Sequence, residues 1–295
     1  MVNKVLILGG KGMLGNMVVR VLSKQKKIVI KSTSSNKTPN YILFNIEKGI
    51  ESLEKILKKD DSFDYIINCI GILNSSINEN DPQSVHRAIC INALFPHELA
   101  KLAQEIGVRV IQISTDGVFT KNAGVCLEDS PRNCDDVYGW TKALGEVISP
   151  NCLNLRCSII GPSPYLQKGL LEWFLSQPKR SIVNGYTDQM WNGITTLQFA
   201  NLCRMLILDN YYDVVTKESP THHFCPNLAV SKYELLQLFK DNFRTDLSVK
   251  PNTSKDNAVT RTLDTMYTSI KEIFGHNYSM QHSIKELAIE MKALK

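Results

Sequence analysis

Tyr138 and Lys142 stand four residues apart in Tyr138-Gly139-Trp140-Thr141-Lys142. That spacing puts a phenol and an ammonium on one face of a helix, one turn from each other. A free tyrosine, with a pKa of about 10, is a poor proton-transfer partner at neutral pH; a neighbouring ammonium stabilises the phenolate and moves it toward the working range. Upstream, an apolar run ends in Ser114-Thr115-Asp116, where the Thr115 hydroxyl can hold a carbonyl oxygen while Tyr138 passes a proton. Lys142 can hold a ribose as well. The same bare spacing recurs at Tyr267-Thr268-Ser269-Ile270-Lys271, but no such hydroxyl precedes it. The chemistry is therefore assigned to Thr115, Tyr138 and Lys142.

A second constellation lies near the start. Gly9-Gly10-Lys11-Gly12-Met13-Leu14-Gly15 follows the apolar run Val5-Leu6-Ile7-Leu8 and opens a helical pattern. Glycine serves the tight turn at Gly9, the close approach of a diphosphate at Gly12, and helix–strand packing at Gly15, with the amides of the helix start meeting the anion. Dinucleotide sites that take NAD carry an acid at the end of the second strand to hold the ribose 2′-hydroxyl. Here that region reads Lys31-Ser32-Thr33-Ser34-Ser35, with Lys37 nearby and no acid. A cationic, hydroxyl-rich site suits a 2′-phosphate, so Lys31 and Ser32 point to NADP(H), with NAD(H) kept open as a second cofactor.

The elements that position these groups alternate strand and helix. Strands are expected at Lys4–Leu8, Lys27–Ile30, Tyr41–Phe44, Tyr65–Ile70, Val108–Ile113 and Leu153–Ile160. Helices are expected at Met13–Leu22, Ser84–Ile106 and Tyr138–Ile148, and Ser32–Asn40 reads as a polar loop. This rhythm predicts an α/β fold, a Rossmann doubly wound parallel sheet, over residues 1–160. Past Gly161-Pro162-Ser163-Pro164 the rhythm breaks. Helices at Leu170–Leu175, Leu197–Leu208 and Ser231–Asn242 suggest a smaller C-terminal α/β substrate-binding domain over residues 161–295, with segments returning to the first domain.

Composition excludes several classes. The formal charge is +5 in 295 residues, with scattered lysines and no basic run interleaved with aromatics. That suits a small anionic ligand and argues against nucleic acid. The eight cysteines form no CxxC pair and no ligand spacing, so no metal is expected and the thiols read as free in a reducing cytoplasm. The first apolar run is too short for a signal peptide, and no stretch approaches the roughly 20 apolar residues of a membrane span. His222 and His223 follow a turn and precede an apolar run, which favours packing over catalysis.

Taken together, the motifs resemble the dTDP-4-dehydrorhamnose reductase family of extended short-chain dehydrogenases. Ser114-Thr115-Asp116-Gly117-Val118-Phe119 resembles its STDxVF segment, and Tyr138 to Glu146 its YGxTKxxGE segment. Asn92-Ala93, Leu155-Arg156, Gly193-Ile194-Thr195-Thr196 and Arg261-Thr262-Leu263-Asp264 match more loosely. The resemblance implies reduction by NADPH of the C4 keto group of a nucleotide-linked 4-keto-6-deoxy sugar. It also implies a cofactor site of Gly9, Gly12, Met13, Leu14, Gly15, Lys31, Ser32, Asn45, Ile46, Cys69, Ile70, Gly71, Tyr138 and Lys142. The substrate would meet Asp116, Lys168, Trp191 and Asn192, with Lys179 and Arg180 as further phosphate candidates; a homodimer is left open.

The chain departs from the family at Asn68-Cys69-Ile70-Gly71 and at Gln189-Met190-Trp191-Asn192, which leaves the sugar and nucleotide open. Three alternatives stand beside the reductase, one of them a dehydrogenase or dehydratase of a related sugar, for which an acid would have to follow Asp116. A bifunctional epimerase–reductase of the kind related to GDP-fucose synthases needs an acid–base residue two positions after the triad hydroxyl. Gly117 occupies that position, and only Cys69 on the neighbouring strand end could substitute. A non-catalytic regulatory subunit on the same fold would not need an intact trio. The Trp191 indole is read as a stacking face for a base or sugar, or as lid core.

Overall fold

Strands apolar at every position, rather than at alternate ones, belong in a sheet covered on both faces. The computed structural model, which describes residues 2–59, 63–255 and 258–293, carries such apolar runs (Val5–Leu8, Tyr65–Ile67) at the centre of a main sheet of seven strands. They are β1 (Asn3–Leu8), β2 (Ile28–Ser34), β3 (Ile42–Leu43), β4 (Tyr65–Asn68), β5 (Arg109–Ser114), β6 (Cys152–Arg156) and β7 (Thr221–His223). All pair in parallel, in the order β3-β2-β1-β4-β5-β6-β7. This is the doubly wound sheet expected of the sequence. Its strand order reverses between β1 and β4, and ligands of such sheets bind outside the carboxyl ends at that reversal.

The first helix, α1 (Met13–Ser23), buries Leu14, Met17, Val18, Val21 and Leu22, an i, i+3, i+4, i+7, i+8 stripe. Each such side chain contributes roughly 1.5–3 kcal/mol when fully buried. The stripe joins one core with Phe199, Leu202, Cys203 and Leu206 of helix Thr196–Leu208 and with Ile284 and Leu287 of helix Met280–Lys292. Residues beyond 160 thus cover one face of the main sheet, and Thr221–His223 supplies its seventh strand. Reciprocal caps start two of these helices, Thr195 with Gln198 and Ser231 with Glu234. Among the described residues, four two-stranded pairs flank the main sheet, among them Met190–Trp191 antiparallel to Val230–Ser231 and Val125–Cys126 parallel to Thr262–Leu263. Among the described residues, no helix is long and apolar enough to cross a membrane.

Several boundaries differ from the pattern-based expectation for identifiable reasons. β2 continues through Ser34 because Thr33 is bonded to the glycine turn, its Oγ1 accepting the Gly9 N–H (3.1 Å) and its carbonyl the Gly10 N–H (3.0 Å). The helix expected to reach Ile148 is α2 (Val137–Leu144). It stops where Gly145 lies against the Asn92 carbonyl, so close that a Cβ would fall 2.0 Å from that oxygen. The sixth strand ends at Arg156, and Ile159–Ile160 pairs instead with Ile194–Thr195. The long helix is Pro82–Ala88, a π-helical turn at Ile89–Leu94, and Phe95–Glu105. The π turn carries Asn92, whose Oδ1 accepts the Ile72 N–H (2.9 Å) and whose Nδ2 donates to the Ile72 carbonyl (3.0 Å). His222 and His223 do not precede a strand; they form β7 and are buried.

Candidate active site

Thr115 directly follows β5 and caps the short turn Asp116–Val118, its Oγ1 accepting the Gly117 N–H at 3.0 Å. The preceding hydroxyl faces elsewhere: Ser114 Oγ donates to Glu146 Oε1 at 2.7 Å. Tyr138 lies in the first turn of α2, which Asp136 caps by accepting the Gly139 N–H at 2.6 Å. The helix can approach β5 because Gly139 has no side chain; a Cβ there would lie 2.4 Å from the Gly117 carbonyl oxygen. The Tyr138 ring and the Thr115 hydroxyl border the same glycine: a Cβ at Gly117 would lie 3.1 Å from the ring and 3.3 Å from Thr115 Oγ1. One turn further on, buried Lys142 donates from Nζ to the Ile113 carbonyl at 2.7 Å. The structure thus gathers Thr115, Tyr138 and Lys142 at the carboxyl end of β5. Tyr267 packs instead against the His222 ring at 4.9 Å, and Lys271 donates to the Thr265 carbonyl at 3.0 Å.

Burial dominates the electrostatics of the trio. It pushes the Tyr138 phenol up to about 12, and the opposing pull comes from the Thr115 hydroxyl rather than the Lys142 ammonium. Lys142 is brought down to about 8 by the same loss of water, with Glu146 pulling the other way. Glu146 is itself buried. Desolvation would raise it, but two Arg156 hydrogen bonds (2.7 and 2.8 Å), the Arg156 charge and the Ser114 hydroxyl outweigh that and hold it below the usual carboxylate range. Arg156 also donates to the Glu128 carbonyl at 3.0 Å. Glu128 in turn accepts from His223 N–H (2.7 Å) and Met266 N–H (3.0 Å). This network pins the end of the sheet beneath the trio to the C-terminal segment.

The glycine turn sits at the strand-order reversal. Gly9 has φ +78°, a conformation that favours glycine. A Cβ at Gly15 would lie 2.3 Å from the Gly9 carbonyl oxygen, so Gly15 is required by the packing of α1. Gly12 differs. A Cβ there would meet only the Gly9 carbonyl, at 3.3 Å, and the helix start has no side-chain cap. The fold alone does not demand glycine at Gly12, whereas an anion on the amides of Met13 and Leu14 would. The cradle therefore fits a dinucleotide.

The other expected cofactor residues surround this turn. Lys31 and Ser32 lie in β2 opposite Leu6 and Ile7, Lys31 exposed and Ser32 buried. Asn45 caps Ile46–Lys48 by accepting the Glu47 N–H at 3.0 Å. At the end of β4, Cys69 N–H donates to the Leu8 carbonyl (3.1 Å) and Ile70 lies against Gly9. Gly71 faces Asn92. Burial raises the Cys69 thiol well above its ordinary range, which leaves it poorly suited to acid–base work. Lys168, on the loop after Ser163, donates to Ser76 Oγ at 3.3 Å.

On the substrate side, Asp116 is held by Arg261 at 3.1 Å and receives the Thr115 hydroxyl at 3.3 Å. Trp191 offers no open stacking face. It is buried, its indole N–H donates to Ser158 Oγ at 2.8 Å, and Lys232 Nζ lies 5.2 Å above its ring. Of the two readings open for Trp191, these contacts favour core packing over a stacking face. Asn192 is likewise engaged, both ends of its amide bonded to the Leu263 backbone (2.6 and 3.1 Å). Lys179 and Arg180 are exposed on a turn beside Asp246, ahead of the strand Ile182–Tyr186 that leads back to the cleft. Pattern reading missed Thr33, Glu146 and Lys232. The first two sit inside matched segments as ordinary polar residues, and Lys232 reads as a solvated lysine at a helix start.

Residues 3–264 match the family model of the RmlD substrate binding domain. A dTDP-4-dehydrorhamnose reductase of Mycolicibacterium smegmatis is 28% identical over 152 residues, covering 50% of this chain and 41% of that protein. Methionine adenosyltransferase 2 subunit beta of Xenopus tropicalis is 29% identical over 247 residues, covering 81% of this chain and 72% of that protein. The chain therefore spans about two fifths of the reductase relative's length. Among solved structures, a dTDP-4-dehydrorhamnose reductase of Bacillus anthracis in complex with NADP gives a TM-score of 0.78 at 17% identity over 98% of this chain and 100% of that one. One from Clostridium acetobutylicum gives 0.73 at 20% identity, over 98% of this chain and 99% of that one. At these identities the structural likeness speaks for the fold.

Proposed function

Because the chain belongs to the RmlD substrate binding domain family, we propose that it reduces the C4 keto group of a nucleotide-linked 4-keto-6-deoxy sugar with NADPH. The observation that carries this reading is the convergence of Tyr138 and Thr115 about Gly117, with Lys142 one turn away, beside a glycine turn that leaves room for a diphosphate. NADPH, when bound, supplies the hydride. Tyr138 donates its proton to the carbonyl oxygen as the C=O electron pair moves onto that oxygen. The reduction needs a protonated donor, and a phenol pushed up to about 12 keeps its proton at neutral pH. Thr115 orients the carbonyl and then bonds the phenolate that Tyr138 becomes. Lys142 supplies positive charge to that phenolate and holds the ribose.

Gly9, Gly12, Met13, Leu14 and Gly15 would receive the diphosphate of the cofactor, and Lys31 and Ser32 the 2′-phosphate that separates NADP(H) from NAD(H). Asn45, Ile46, Cys69, Ile70 and Gly71 would line the rest of that groove. Asp116 and Lys168 remain the sugar-nucleotide contacts of this reading. The bifunctional epimerase alternative is disfavoured at Gly117, where a Cβ would crowd the Tyr138 ring at 3.1 Å and Thr115 Oγ1 at 3.3 Å.

The test is NADPH consumption against dTDP-, UDP- and GDP-linked 4-keto-6-deoxy sugars, generated enzymatically, with the product checked for a C4 alcohol. The Xenopus tropicalis relative, aligned over most of this chain, favours a second reading as a non-catalytic subunit. In that case NADPH binds but no member of the panel is reduced.

A further inference from the structure

Lys232 is a charged side chain near Asp116 that the trio does not use. Its backbone is fixed on both sides: the Lys232 N–H donates to the Gln189 carbonyl at 2.8 Å, and Ser231 pairs with Met190. Its Nζ comes to rest 5.2 Å above the Trp191 ring, whose orientation Ser158 holds. The acid in its neighbourhood is Asp116, already bonded to Arg261 and to Thr115. Arg261 is also committed, donating from NH1 to the Phe119 carbonyl at 2.6 Å. Among the described residues, no carboxylate or carbonyl lies within ion-pair or hydrogen-bond distance of Lys232 Nζ.

Among the described residues, the group formed by Asp116, Arg261 and Lys232 therefore carries one formal positive charge in excess, next to the Thr115 hydroxyl that Asp116 accepts. Three influences oppose that charge: the loss of water, the nearby Arg261, and the position of Lys232 as the first residue of the helix Lys232–Phe243, where the peptide dipole disfavours a cation. Burial, with Arg261 acting in the same sense, brings the ammonium down to about 8. The attraction of an indole face for a cation is modest. A cleft ammonium so placed is complementary to an anion arriving with a ligand.

We infer that Lys232 is an anion-binding, specificity-determining residue of the substrate cleft, taking a phosphate or carboxylate oxygen of the nucleotide-linked sugar. This rests on the reductase reading for the identity of the ligand, though binding can be measured without turnover. Two sources supply such an oxygen: the diphosphate common to all nucleotide sugars, or a carboxylate on the sugar ring.

The experiment is calorimetric titration of the full chain, saturated with NADP so that the cofactor cradle is filled. The titrants are dTDP, UDP, GDP and a UDP-linked uronic acid. Lys232→Met keeps a long apolar stem against Trp191 and removes an opposed charge, so it is expected to fold, melting at or above the wild-type midpoint. It should weaken the ligand that binds wild type by tenfold or more, while Lys232→Arg retains most of the affinity and NADPH binding is unchanged in both. Loss with a plain nucleoside diphosphate assigns the oxygen to the diphosphate; loss with the uronic acid conjugate alone assigns it to the ring carboxylate. Wild-type affinity in Lys232→Met overturns the inference, as does failure of every titrant to bind wild type. Absence of NADPH binding would strike the reductase reading instead.

Discussion

Replacing Arg156 by methionine isolates the ion pair beneath the trio. The Glu146 and Arg156 side chains are only 3% and 5% exposed, joined by two hydrogen bonds of 2.7 and 2.8 Å. Removing one partner of such a pair leaves a buried charge uncompensated and costs about 3–5 kcal/mol. Arg132, 46% exposed and 3.2 Å from Glu146, together with Ser114, retains part of the compensation, which favours the lower end of that range. Unfolding entropy of roughly 2.1 cal/mol/K per residue amounts to roughly 0.6 kcal/mol/K for 295 residues. The melting midpoint of Arg156→Met should therefore fall by roughly 5–8 °C. Replacing both partners, Glu146→Leu with Arg156→Met, removes both charges and should regain most of the loss.

The pH dependence has a definite sign. Glu146 is depressed in the folded state, so its contribution is complete above the unfolded carboxylate value of about 4.3 and disappears as pH falls through the folded value. Without Arg156 the desolvation that raises Glu146 is no longer outweighed, so the gap between wild type and Arg156→Met should be widest at neutral pH and above and should close as pH falls. Differential scanning calorimetry of the three proteins at several pH values measures this. Arg156→Met melting with wild type, or a double variant melting below Arg156→Met, would refute the assignment of the pair as a mutually dependent buried unit.

Tyr138→Phe should keep NADPH affinity and lose kcat by roughly 10²–10⁴-fold, the usual worth of a positioned proton donor; Tyr267→Phe, set against His222, should turn over as wild type in the same assay. The glycines should separate by mechanism. Gly15→Ala forces a Cβ to within 2.3 Å of the Gly9 carbonyl and should lower the melting midpoint. Gly12→Ala, with one 3.3 Å contact to relieve, should melt near wild type yet bind NADPH more weakly. Lys31→Asp should abolish preference for NADPH over NADH in paired titrations, and equal cofactor affinities in wild type would sink the 2′-phosphate reading.

Much of the sheet and the grouping of Thr115, Tyr138 and Lys142 was legible because both depend on local spacing. All-apolar runs mark strands buried on two faces, and Tyr138 and Lys142 meet because a helix brings residues four apart onto one face. The boundaries that failed were those fixed by contacts distant in sequence. Nothing within Ser32–Asn40 tells a polar loop from a strand; Thr33 is strand because the backbone of Gly9 and Gly10, more than twenty residues earlier, bonds to it. α2 ends at Leu144 because Gly145 meets the Asn92 carbonyl of a π turn, and nothing in local helix propensity announces that contact.

Side chains in the cleft follow the same division. Trp191 was open to two readings because an indole in a loop can stack on a ligand as well as fill a core. The choice belongs to Ser158, thirty-three residues away in sequence, which takes the indole N–H, and to Lys232, which covers a face. Asn192 is decided by the backbone of Leu263 in the same way. Conversely, Lys232 carries no local signal, since a lysine after a capping serine is ordinary on a solvated helix. It gains meaning only when the chain folds Met190–Trp191 against Val230–Ser231 and brings its ammonium toward a carboxylate that Arg261 already holds. Residue type and spacing identify groups that react through neighbours in sequence. Where a group's chemistry depends on which distant partner has already been satisfied, the hydrogen-bond inventory of the folded chain is what separates a ligand contact from a structural one.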